Sequence, residues 1–179
     1  MLNPKDTALI VVDVQGKLAE MMADKSSLFT NIERMVLAAK QLSLPILWAE
    51  QLPQKLGPTI SVISQHLEDI TPITKSSFSC TGNVEFMEQL AAVNKKQLLI
   101  VGIEAHICVM QTVLSLLTLD YQVHLVCDAI SARNPANKEL AIKRCGKAGA
   151  VLSGVEMALF ELMQHAEHSE FKFIQQLIK

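Results

Sequence analysis

The sequence predicts an α/β fold of three layers, a six-stranded, mainly parallel sheet held between two sets of helices. Apolar, β-branched runs alternate along the chain with stretches of helical periodicity, the pattern of repeated βαβ units. The first run, Ala8 to Val14, is continuous rather than alternating, as in strands buried on both faces. Polar residues stand at or just beyond the ends of three runs: Asp13 after Ala8–Val12, Lys75 after Ile73-Thr74, and Cys108 shortly beyond Gln97–Gly102. In an open α/β sheet the carboxyl ends of the strands form the binding crevice.

Each element has its own signal. Ala8 to Val14 is the first strand, and a helical stretch follows. From Ser27 to Leu42, Leu28, Ile32, Met35, Val36, Ala39 and Leu42 recur at the spacing of one helix face, and Ser43-Leu44-Pro45 ends the run. Ile46 to Ala49 is a second strand. Gln51 to Pro58, with two prolines and a glycine and no periodicity, predicts a substrate-side loop. A short third strand lies around Ile73–Lys75. Asn83 caps a helix through Phe86, Met87, Leu90 and Val93, and Gln97 to Val101 is the fourth strand. A helix over Cys108–Leu119, a fifth strand over Gln122–Cys127 and a helix over Asn137–Ala148 follow. Ala150–Leu152 is a sixth strand and Val155–Met163 a helix. The tail, Ser169 to Lys179, places Phe171, Ile174, Leu177 and Ile178 at helical spacing and is expected to pack on the core or on a partner subunit.

At 179 residues the chain suits one domain over 1–179 with one core, and no repeat or flexible linker argues for a second. Half the residues are apolar and the mean hydropathy is +0.28. That richness suits a doubly covered sheet and a homo-oligomer, dimer or higher. Net charge is −2 and the pI about 6.2, with basic residues scattered, so neither nucleic acid nor an anionic membrane is an expected partner. The apolar runs are too short for a bilayer span, and Asn3, Pro4, Lys5 and Asp6 occupy the place of a signal peptide's apolar stretch. A soluble, cytoplasmic protein acting on a small molecule is the expectation. Cys80, Cys108, Cys127 and Cys145 form no C-x-x-C pair, and no histidine motif has zinc-ligand spacing. Reduced thiols, no metal and no cofactor are therefore expected.

Cys108 stands at the start of a predicted helix, where unpaired backbone N–H groups lower a thiol's pKa and suit it to nucleophilic attack. Asp13, ending an apolar run, is either a satisfied structural carboxylate or a working acid–base group. Lys75 would hold it ionised. Singly, each residue reads better as structural: a small buried thiol, a paired carboxylate, a solvated strand-end lysine. Ile107-Cys108-Val109 lacks the glycines of a nucleophile elbow, and the histidines supply no rival base, which disfavours a Cys-His-Asp hydrolase.

Ile10-Val11-Val12-Asp13-Val14-Gln15, Lys75-Ser76-Ser77-Phe78-Ser79, Val101 to Val109 and Cys127 to Arg133 together resemble the isochorismatase-like cysteine hydrolase superfamily, in particular its isochorismatase domain-containing branch. The resemblance covers nearly the whole chain. It implies a Rossmann-like isochorismatase-like hydrolase fold and an Asp-Lys-Cys triad at Asp13, Lys75 and Cys108. It also implies a non-proline cis peptide at Ile103–Glu104 and an oxyanion hole from the Glu104 and Cys108 N–H groups. By the same analogy Gln15, Trp48, Gln51 and Phe78 belong to the substrate pocket. The implied activity is hydrolysis of a small amide-type C–N bond through a thioester on Cys108.

Two departures narrow the substrate. Family nicotinamidases hold a metal with an aspartate and histidines after the second strand, where this chain has Trp48-Ala49-Glu50-Gln51-Leu52. Family isochorismate hydrolases cleave a vinyl ether without the cysteine, so that activity is a second alternative here. The first is a non-catalytic oligomeric binding protein with Cys108 as a redox-sensitive thiol.

Overall fold

The computed structural model describes residues 1–179. Its six strands, β1 (Thr7–Val12), β2 (Ile46–Gln51), β3 (Ile73–Lys75), β4 (Gln97–Ile103), β5 (Gln122–Ser131) and β6 (Val151–Ser153), form one all-parallel sheet in the order β3-β2-β1-β4-β5-β6. All of β1 is buried, because successive side chains feed two different cores. Short helices α1 (Gly16–Glu20), α3 (Pro53–Leu56) and α4 (Ser61–Ser64) flank the long α2 (Lys25–Gln41) in the chain, and Leu9 and Val11 face the layer of α2, α8 (Val155–Met163) and α9 (Phe171–Ile178). Ala8, Ile10 and Val12 face α5 (Val84–Val93), α6 (Met110–Thr118) and α7 (Pro135–Lys147). Each Val, Leu or Ile so enclosed contributes about 1.5–3 kcal/mol relative to exposure, and a strand contributing to both layers cannot alternate with polar residues.

Local signals explain the helix boundaries. Asn83 Oδ1 accepts from the Phe86 N–H at 2.9 Å, and Asn134 Oδ1 from that of Ala136 at 3.0 Å with Pro135 in the first turn. The tail helix α9 lies on the core of its own chain, with Ile174 fully buried and Phe171 set edge-on against Phe160 at 6.3 Å.

The differences from expectation lie at the carboxyl edge. β2 runs on to Gln51, β4 to Ile103 and β5 to Ser131, since strand pairing persists past the polar residues of β2 and β5 and the glycine of β4 that look like breaks. The Gln51 to Pro58 segment contains one helical turn, Pro53–Leu56, opened by Pro53 at its first position. The helix expected from Cys108 is preceded by a π-helical turn over Ala105–Val109, and α6 begins at Met110.

From β1 the chain winds outward through β2 to β3, then returns to lay β4 on the other side of β1. Such a reversal opens a crevice at the carboxyl ends of the two strands that flank it. β1 and β4 approach closely there: Gly102, paired with Val12, has φ +121°, and a Cβ on it would stand 2.1 Å from the Val12 carbonyl oxygen.

Candidate active site

Asp13 follows the last residue of β1 in a left-handed conformation (φ 51°), which aspartate tolerates better than most residues. Its N–H donates to Ala49 O at 3.1 Å. Its carboxylate is buried, and Oδ2 accepts from Lys75 Nζ at 2.6 Å, the two side chains being only 3% and 1% exposed. Lys75 ends β3, two strands from β1, and its stem crosses the end of β2. There Nζ also donates to Gln51 Oε1 at 2.7 Å and to the carbonyls of Ser77 and Phe78 at 3.2 Å each. Four acceptors surround three N–H bonds, so the ammonium is fixed in place and spends its charge on Asp13. Burial raises the Asp13 carboxyl above its ordinary range, and Lys75 opposes that shift.

Cys108 lies in the π-helical turn and is nearly buried. Its thiol is close enough to Asp13 to interact with the carboxylate, whose buried Oδ1 has no conventional hydrogen-bond partner. The expected lowering by a helix terminus is absent. Burial foremost, then the Asp13 charge, pushes the thiol well above its usual range, because the residue sits inside the turn rather than at an exposed helix start. The other cysteine that feels this ion pair, Cys80, is fully buried and pushed up to about 12 by desolvation.

The Ile103–Glu104 peptide is cis, and the Glu104 N–H donates to no group of the chain. The Glu104 carboxylate turns instead to Arg133. It accepts from the Arg133 N–H at 3.0 Å, from Nε at 3.1 and 3.2 Å, and from the guanidinium end at 3.1 Å. This fork ties the segment after β4 to the segment after β5.

A cavity of about 100 Å³ joins these groups, lined by Asp13, Gln51, Glu104 and Cys108 together with Leu18, Leu56, Phe78, Ile103 and Ile107. Of the four residues expected in the pocket, Gln51 and Phe78 line it and Gln15 and Trp48 do not. Strand alternation explains Trp48: Leu47, Ala49 and Gln51 share one face of β2, and Trp48 and Glu50 take the other. There the indole Nε1 donates to Thr59 Oγ1 at 2.8 Å, and Glu50 Oε1 accepts from the Thr59 hydroxyl and N–H at 2.8 and 2.6 Å. Gln15 is fully buried behind the loop. Its amide donates to Gly57 O at 2.7 Å and Gln51 O at 3.1 Å and accepts from the Gln51 N–H at 2.6 Å, so it positions Gln51 rather than touching the cavity.

Leu56 falls in the segment expected as a substrate-side loop, whereas Leu18 and Ile107 sit in short turns whose residues carry no periodic signal. The acid at Glu104 and the base at Arg133, each closing an apolar run, were the legible trace of their pairing. Larger open hollows of about 480–580 Å³ lie around Trp48, Gln65 and Lys40, away from Asp13 and Cys108. No cluster of three or more His, Cys, Asp or Glu side chains is arranged to hold a metal.

A family model described as the isochorismatase domain matches residues 7–157. The chain is 37% identical over 99% of its length to a secreted isochorismatase effector of Phytophthora sojae, covering 87% of that protein. It is 34% identical over 99% of its length to isochorismatase domain-containing protein 2 of Xenopus laevis, covering 85% of it. Among solved structures, the MAR1 ribonuclease of Caenorhabditis elegans superposes with a TM-score of 0.92 at 35% identity, over 99% of this chain and 91% of that one.

Proposed function

The chain belongs to the isochorismatase family, and from that membership we propose that it acts as a single-domain cysteine hydrolase that cleaves a small amide-type C–N bond through a thioester on Cys108. One observation carries the reading. A buried carboxylate held by a buried ammonium keeps an unpartnered oxygen beside a thiol, in a cavity with apolar walls.

The chemistry follows from the state of each group. Because burial raises the pKa of the Cys108 thiol, attack calls for a base at the sulfur. Asp13 accepts the proton as sulfur closes on the substrate carbonyl carbon. Negative charge that develops on the carbonyl oxygen is taken up by the Glu104 and Cys108 N–H groups. The C–N bond breaks as Asp13 returns the proton to the leaving nitrogen. Water then attacks the thioester with Asp13 again as base, releasing the acid and restoring the thiol. Lys75 orients the carboxylate throughout and opposes its protonation between steps.

Exposed apolar side chains on β6 (Val151, Leu152) and α8 (Met157, Phe160) support assembly into a homo-oligomer. The reading is tested by intact-protein mass spectrometry after incubation with small amides and an acylating probe. A Cys108 adduct that disappears in Asp13→Asn and in Cys108→Ala is expected, with far-ultraviolet circular dichroism verifying folding. Labelling that is indifferent to Asp13→Asn would leave Cys108 as an ordinary thiol and end the proposal.

A further inference from the structure

Cavity size and the commitments of its charged groups define what fits beside Cys108. About 100 Å³ holds three to four water-sized groups, well below the roughly 300–1,000 Å³ of sites for drug-sized ligands. The walls are Leu18, Leu56, Phe78, Ile103 and Ile107. No lysine, arginine or histidine lines the cavity, and the two cations paired with its lining acids are already engaged. Lys75 Nζ is held by Asp13, Gln51 and two carbonyls, and Arg133 is forked onto Glu104. The two ionisable side chains other than the thiol that do line it, Asp13 and Glu104, are acids.

A ligand carboxylate would therefore lose its hydration and gain no free cationic partner. An aliphatic group of the same shape would bury apolar surface against the same walls. Resting on the acyl-transfer reading above, we propose that the substrate is an uncharged small aliphatic amide and that the pocket rejects amides bearing a carboxylate next to the carbonyl. Phe78 is 55% exposed while lining the cavity, so it stands at the mouth and determines what meets the incoming acyl group.

The experiment compares isobutyramide with its near-isostere oxamate on the full chain. It reads kcat/KM for ammonia release and, independently of turnover, the protection each amide gives Cys108 against alkylation by iodoacetamide. Isobutyramide is expected to exceed oxamate by about a hundredfold or more in kcat/KM, the scale on which an apolar pocket rejects a polar isostere, and to be the one that protects. Phe78→Lys, which places a cation at the mouth, should narrow that ratio severalfold. Protection by isobutyramide alone supports the charge selection even if neither amide turns over. Equal protection, or oxamate processed as well as isobutyramide, overturns the charge selection and leaves acyl transfer on Cys108 standing. No turnover, no protection by either amide and no acyl adduct on Cys108 would overturn the cysteine-hydrolase reading and this proposal with it.

Discussion

Lys75→Met removes the ammonium from the Asp13 pair and keeps an unbranched apolar stem in its channel. The pair is almost wholly enclosed, at 2.6 Å with 1% and 3% of the side chains exposed. Breaking a buried pair from one side costs about 3–5 kcal/mol. At about 2–4 °C per kcal/mol for a chain of this size, the midpoint should fall by about 6–20 °C. The lower part of that interval is expected, because Asp13 has an escape. Burial already raises its pKa and Lys75 is the chief opposing influence, so without the ammonium the carboxyl takes up a proton instead of remaining a stranded charge. That proton is what disables the site: a carboxylic acid cannot accept the Cys108 proton. Acylation of Cys108 at neutral pH should drop by about 10²–10⁴-fold, the usual worth of a positioned general base. It should partly recover as the pH is raised through the new, higher Asp13 value. Thermal unfolding followed by circular dichroism and the pH dependence of acyl labelling read the two effects separately. Asp13→Asn combined with Lys75→Met removes both charges and should be more stable than either single variant while remaining inactive. A folded Lys75→Met variant with the wild-type labelling rate and pH profile would refute the role assigned to the ion pair.

Three further outcomes follow from named contacts. Gly102→Ala drives a Cβ to 2.1 Å from the Val12 carbonyl oxygen at φ +121°, backbone against backbone, so a loss above about 4 kcal/mol is expected; a soluble variant melting within about 2 °C of wild type would contradict it. His124 is buried in β5 and desolvation lowers its pKa from 6.5, so the unfolded chain takes up its proton first and this contribution to stability is lost as the pH falls below 6.5. Melting curves from about pH 7 to 5 should decline in wild type and flatten in His124→Gln. Trp48→Phe removes the bond to Thr59 and should cost about 1–2 kcal/mol in thermal unfolding without altering acyl labelling of Cys108, because the indole stands on the opposite face of β2; a matching loss of labelling would place it at the site after all.

Legibility in the sequence tracked how local each cause is. The continuous run of β1, the asparagine cap at Asn83 and the face of α2 are each governed by residues within a few positions, and all were readable. The carboxyl edge was less so. The extensions of β4 and β5 depend on what the neighbouring strand offers for pairing, and the π-helical turn before α6 departs from the helical period the residues suggest. Trp48 and Gln15 were assigned to the pocket by analogy, and in each case strand alternation or a side-chain hydrogen bond turned the residue elsewhere. Arg133 was part of a matching motif, yet its grip on Glu104 required two chain reversals to be drawn.

The residues alone determined the layered α/β class and the strand and helix order, because burial on two faces and helical periodicity are written in neighbouring positions; the family was legible only as a resemblance of motifs. They also singled out Asp13, Lys75 and Cys108. Only the tertiary structure decided that the lysine spends its charge on the aspartate, that burial raises the thiol's pKa and that the adjoining cavity is small and without a free cation. Those properties depend on distance and desolvation, which arise when strands remote in sequence bring their ends together and exclude water.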